Sequence, residues 1–163
     1  MKTKHKIIIL ITIITSLLSA CQTQLPSPEA TSIKGVYLYN MTTLDNSNSP
    51  SGIVAKLNSA NLIGCPPDFI EAYHQYIDAW RGFAQIEKNM YAENLKKADT
   101  DLAEFIKNYQ QNPTASVVKL KQQWKSLASE IDTAYAKLSS AFVMLKNIGT
   151  KYNVAYNAPS SWF

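Results

Sequence analysis

The chain is expected to fold as an all-α protein: an antiparallel helical hairpin or a small three- or four-helix bundle with heptad-like seams. Three observations lead there. Apolar residues recur at alternating three- and four-residue spacing through two long stretches, from Asp68 to Gln111 and from about Thr114 to Ile148. Only Asn112-Pro113 separates the two stretches, and a short loop between such helices makes them antiparallel neighbours. The composition, 46% hydrophobic and 17% charged over 163 residues, is that of one globular domain and neither a disordered nor a membrane-saturated chain.

In chain order, residues 1–20 read as a secretory signal. Lys2, Lys4 and Lys6 form a positive start, and Ile7 to Leu18 follow as an apolar run interrupted only by Thr12, Thr15 and Ser16. A helix needs about 20 apolar residues to span a bilayer, so the run is short for a permanent anchor. The segment ends Leu18-Ser19-Ala20-Cys21, aliphatic, small, small, then cysteine. It resembles the lipobox of bacterial lipoproteins, a likeness that covers residues 1–22 and is silent on the rest. The resemblance implies cleavage before Cys21 and a diacylglyceryl thioether on its sulfur. Two or three acyl chains then hold the protein stably on a membrane, where one chain would be marginal. Gln22 in place of Asp is similar to lipoproteins sorted to the outer membrane of diderm bacteria. The implied location is therefore its inner leaflet, facing the periplasm.

Removing residues 1–20 removes three of the 16 Lys and Arg and none of the 12 Asp and Glu, leaving 13 against 12. A net charge of +1 argues against nucleic acid as a partner, whatever the pI of the whole chain suggests. Residues 21–32, with Pro26 and Pro28 among small polar residues, read as a flexible tether. Residues 33–50 read as irregular: Ile33 to Tyr39 fits a short strand or a turn of helix equally, and Asp45 to Pro50 is a loop signal. The helical domain is expected over residues 51–152, beginning with a short helix from Ser51 to Leu62. Residues 153–163 form a tail whose Trp162 and Phe163 would cover an exposed helix face.

Pro66-Pro67-Asp68 suits a helix entrance, with proline fixing φ and an acid at the positive end of the dipole. The first stripe is Phe69, Tyr73, Tyr76, Trp80, Phe83 and Met90, broken only at Glu87; Leu95, Ala98, Leu102, Phe105 and Tyr109 continue it after a phase shift. One rod or two helices broken near Asn89–Asn94 fit this pattern equally, since no strong breaker is present. Thr114 and Ser116 are candidate caps for the next helix, and Gly149 is its candidate stop. Its stripe is an unbroken heptad seam from Val117 through Leu120, Trp124, Leu127, Ile131 and Leu138 to Ile148. The first arm carries eight acids against five bases and the second six bases against two acids, so the arms attract. A hairpin alone leaves one face of each helix bare. A third layer is expected from residues 51–62, the tail, a fold-back at Asn89–Asn94 or a second copy.

Chemistry-bearing residues are few. Glu71, His74 and Asp78 share one helix face as a weak metal-ligand set, but a carboxylate di-iron bundle needs two Glu-x-x-His pairs and this chain has one. A solvated charge ladder with Arg81 is the simpler reading. Haem held by His74 with Met90 or Met144 would be the other bundle cofactor, yet no Cys-x-x-Cys-His is present; no cofactor is expected. Gly-x-Ser-x-Gly, His-Glu-x-x-His and phosphate-cradling loops are absent from the sequence, so no enzyme is expected either. Cys65 is the thiol left over once Cys21 is acylated: a bridge between two copies, its pKa lowered by the helix that follows, or an inert buried thiol. Tyr73, Tyr76, Trp80, Trp124 and Tyr135 read as core whose polar atoms reach the rim. The functional expectation is a membrane-anchored envelope lipoprotein with a non-catalytic interaction or scaffold domain, whose partners are the bilayer and an envelope protein or a second copy. The alternative is a periplasmic bundle carrying a small ligand, metal or haem.

Overall fold

The structure, a computed structural model, describes residues 26–156. The lipobox with Cys21 and the tail residues Trp162 and Phe163 lie outside these. The described residues are all helical in architecture: α1 (Pro28–Asp45), α2 (Pro50–Leu57), α3 (Pro67–Tyr109), α4 (Pro113–Gln123), a 3-10 turn (Lys125–Leu127) and α5 (Ala128–Lys151).

α1 corrects the expectation of a tether to residue 32 and an irregular segment to residue 50. Ser27 caps it, its Oγ accepting from the Ala30 amide at 3.2 Å, and Pro28 takes the first helical position. Its buried face is Ala30, Ile33, Val36, Tyr37, Asn40, Thr43 and Leu44. That spacing is helical, but two of the seven are polar, and this hid the stripe. α2 starts one residue before Ser51, capped by Ser49, and stops at Leu57.

α3 is two helices. Asn94 leaves the helical region (φ −158°, ψ 96°), and the chain reverses there. Phe105 stacks on Phe83 at 5.2 Å between ring centroids, and Tyr109 meets Trp80 edge-on at 5.4 Å. In one continuous helix Trp80 and Tyr109 would be roughly 43 Å apart. The open alternative is thereby decided: residues 67–93 and 95–109 pack antiparallel, and the fold-back supplies one of the missing layers. Asn94 Oδ1 accepts from the Lys97 amide at 3.1 Å, so the residue that breaks the first limb caps the second.

The unbroken second arm is also corrected. Trp124 (φ −126°, ψ 68°) ends α4, and the 3-10 turn reverses the chain into α5. Thr114 Oγ1 lies 3.0 Å from the Tyr135 hydroxyl, against about 31 Å along a single helix. Asn112, not Thr114 or Ser116, caps α4 through the Ala115 amide at 3.0 Å. Gly149 does not stop α5. Asn153 takes the left-handed conformation (φ 60°), and the Val154 amide donates to the Gly149 carbonyl at 2.9 Å, a Schellman closure two residues beyond Lys151.

Residues 67–93 and α5 are thus the long antiparallel pair. Lys151 reaches Asp68 at one end (2.7 Å), Asn89 donates to Glu130 (3.0 Å), and Ser126 donates to Glu93 at the other (3.0 Å). The hairpin of residues 95–109 and α4 packs on the upper half of this pair, with Lys119 on Glu104 at 2.5 Å. The contacts of Asp68 and of Glu104 join an acid of the first arm to a base of the second. α1 covers the lower half, where Tyr37 donates to the Leu145 carbonyl at 2.8 Å and Tyr73 to Asn40 Oδ1 at 2.8 Å, and α2 runs down the flank from Glu87 to Tyr73. The heptad seam from Val117 to Leu145 is buried, and Ile148 packs against the core half-buried. Leu95 departs from its expected place in the first seam: it is 66% exposed at the Asn94 turn.

Candidate interaction surface

The expected aromatic residues build the interior. Trp80, Tyr73, Phe69 and Phe83 are among the largest fully buried side chains, and Tyr76 and Trp124 are buried with them; Tyr135 is half-buried at the rim. Around the lower half, Tyr37, Phe69, Tyr73, Tyr76, Phe142 and Tyr156 form a closed circuit of ring contacts between 4.6 and 6.5 Å. Each such pair adds about 0.5–1.5 kcal/mol beyond its area. Burial pushes the Tyr76 hydroxyl up to about 12 and the Tyr37 and Tyr73 hydroxyls higher still. The space around Tyr73, Trp80 and Trp124 is therefore filled interface, not an aromatic cleft.

The polar residues that interrupt the seams are equally structural. Glu87 is 5% exposed and faces the start of α2, where its two oxygens accept from the Ser51 amide (2.7 Å) and hydroxyl (2.9 Å). Asp101 sits where the two reversals meet. Its Oδ2 accepts from the Trp124 indole at 2.8 Å and from Lys97 Nζ at 2.5 Å, and Lys97 stands 4.1 Å over the Trp124 ring. Neither role is visible in sequence spacing, because Ser51 and Trp124 each lie more than twenty residues from the acid they donate to.

The weak metal-ligand set does not come together. Glu71, His74 and Asp78 are all exposed on α3, and Asp78 pairs with Arg81. Among the described residues no group of three or more His, Cys, Asp and Glu could hold a metal ion. Met90, fully buried, lies about 24 Å along the same straight limb from His74, too far to share an iron with it. Cys65 is free and buried, and burial pushes its thiol pKa up. Of the two readings of Cys65, burial supports the inert thiol, because desolvation disfavours the thiolate.

Two features reach solvent instead. Along the outer side of the long pair, α3 and α5 leave two neighbouring open grooves of about 570 and 270 Å³. Their floor is small and apolar, Ala79, Gly82, Ala134 and Ala141, with Lys137 common to both and Met144 at one end, 40% exposed. At the lower end, the loop between α2 and α3 brings Ile63, 85% exposed, beside Ser32, Gly35 and Tyr39 of α1. Reading the sequence for stripes passed over both, since small residues and loop aliphatics carry no periodic signal. Among the described residues no helix is long and apolar enough to cross a membrane. Compared with known proteins, the chain matches no family model, no curated protein and no solved structure.

Proposed function

We propose that the protein is a bacterial envelope lipoprotein, held to the membrane through acylated Cys21, whose helical bundle is a non-catalytic interaction module. The observation that carries the reading is the placement of Leu18-Ser19-Ala20-Cys21 directly after an apolar signal and just ahead of the Ser27 cap where the folded domain begins. An inner-leaflet position on the outer membrane follows from Gln22. For the interaction role, support comes from the α3–α5 grooves: a small-residue floor lets a partner helix approach closely, and its charged edge, Asp78 and Lys137, supplies registry. The partner is an envelope protein or a second copy of the chain.

The test is fractionation of cells making the wild-type protein or Cys21→Ala. Wild type should sediment with outer membranes and take up labelled palmitate, and the variant should do neither. Photo-cross-linkers placed at Lys137 and Met144 in the anchored protein should then trap one discrete product. Retention of Cys21→Ala would defeat the anchor, and cross-linkers that capture nothing at both positions would defeat the interaction surface.

A further inference from the structure

We infer that the bilayer holding Cys21 is also a docking partner of the bundle's lower end, with Ile63 as the side chain that meets lipid; this rests on the lipidation proposed above. Six Cα-to-Cα steps separate Cys21 from Ser27, and an extended chain covers at most about 3.6 Å a step, so the start of α1 stands within roughly 20 Å of the acylated residue. The headgroup layer takes several ångströms of that reach. The lower end is therefore held at the membrane, whereas the turns at Asn94 and Trp124 lie one length of α5 away, about 36 Å.

What the lower end presents is an aliphatic residue on a rigid corner. The Asn61 side chain accepts from the Ile63 amide at 3.0 Å, and the Cys65 amide donates to the Leu62 carbonyl at 3.1 Å across Ile63 and Gly64. Gly64 at φ 81° makes this a type II turn, with Ile63 at its first corner position. The turn is wedged in place: a Cβ on Gly64 would stand 2.6 Å from Ser32 Oγ on α1. Such corners usually carry proline or a polar residue, and here the most exposed large aliphatic of the described residues stands out from one, with Cys65 buried behind it. Leu38, 56% exposed, adds apolar surface on α1, while on its first two turns the exposed charges, Glu29 and Lys34, cancel. A near-neutral apolar edge fits the interfacial zone of a bilayer better than it fits a charged partner.

The experiment uses the acylated protein in vesicles of phosphatidylethanolamine and phosphatidylglycerol, with a nitroxide on Ile63→Cys or, as control at the far end, on Leu95→Cys. The label at 63 should show several-fold lower access to an aqueous nickel chelate, and higher access to oxygen, than the label at 95. Equal water access at both sites, in protein still retained through Cys21, would overturn the docking and leave the anchor standing. Shielding of the label at 63 in a lipid-free form beginning at Gln22 would show that the tail or a second copy covers it, and would also overturn the inference. Vesicle retention of Cys21→Ala would instead remove the anchor on which it rests.

Discussion

Glu87 holds the start of α2 on the flank of α3: one carboxylate oxygen accepts from the Ser51 amide and the other from the Ser51 hydroxyl, at 2.7 and 2.9 Å, out of solvent. The α2 N-terminus carries partial positive charge, so an acid at this depth is compensated by the helix it orders. A hydrophobe in the same seam position would pack but would leave the Ser51 amide unpaired. Glu87→Ala should cost about 1.5–3 kcal/mol and Glu87→Gln less, since the amide oxygen keeps one acceptor. Urea unfolding followed by circular dichroism reads both; equal stability of wild type and Glu87→Ala would refute the clamp.

Asp101 and Trp124 lock the two reversals to each other. Asp101→Ala should cost about 1–3 kcal/mol by stranding the buried indole N–H and freeing Lys97. Trp124→Phe in the same background should add little polar cost, because the interaction is already gone. A double-mutant cycle on unfolding midpoints checks this, with additivity as the failing result.

Gly149 is required by a side chain, not by its backbone. A Cβ there would lie 2.0 Å from the Tyr37 hydroxyl oxygen, which is itself tied to the Leu145 carbonyl. Gly149→Ala should therefore destabilise by about 1–3 kcal/mol through overpacking, although alanine is the better helix former. Combined with Tyr37→Phe the penalty should shrink, and thermal melts of the four proteins decide.

The tyrosine spectrum should titrate late. Tyr76, and Tyr91 through its bond to Asp99, are raised to about 12, and Tyr37 and Tyr73 are raised by burial. A raised pKa means the folded state keeps its proton longer, so this stability is complete below pH about 10 and is lost as pH climbs through the folded values. The phenolate absorbance of the buried tyrosines should rise in one cooperative step together with loss of helix. Smooth early titration of most tyrosines would contradict the buried circuit.

Asp68 and Lys151 make the complementary acid-side case. Lys151, with Tyr152 and the Phe69 amide, holds the Asp68 carboxyl below its ordinary range, and Asp68 raises Lys151. The aspartate's contribution is present above its unfolded pKa near 4 and fades as pH falls through the lower folded value. Asp68→Asn should flatten that part of the acid limb of the stability profile. Because the pair is exposed, the difference should also shrink in high salt.

Much of this architecture is legible in the order of residues. The stripes Phe69–Met90 and Val117–Leu145 announce two long amphipathic surfaces, and both are buried where their spacing puts them. The phase shift of the first stripe allows a break near Asn89–Asn94 without requiring one, and the second stripe gives no sign of its turn. Asn94 and Trp124 are ordinary helix residues with no proline or glycine beside them, and apolar periodicity runs past both. A reversal there pairs Phe83 with Phe105 and Trp80 with Tyr109, contacts worth more than the few hydrogen bonds a continuous helix would keep. α1 escaped notice for a related reason: its inner face spends two positions on Asn40 and Thr43, and the Asn40 side-chain oxygen accepts from Tyr73 of another helix.

By itself, the sequence determined the helical class, the two amphipathic surfaces and the opposite charge of the two arms, because each is written in neighbours or in short periods along the chain. The tertiary structure alone decided that the arms fold back into a bundle, that Glu87 and Asp101 are clamps and not flaws in a stripe, that Cys65 is buried, and that Ile63 is left uncovered by the bundle. Those outcomes depend on which surfaces meet, and the free energy of burying one face against another is set by residues far apart in the chain, which no local pattern can anticipate.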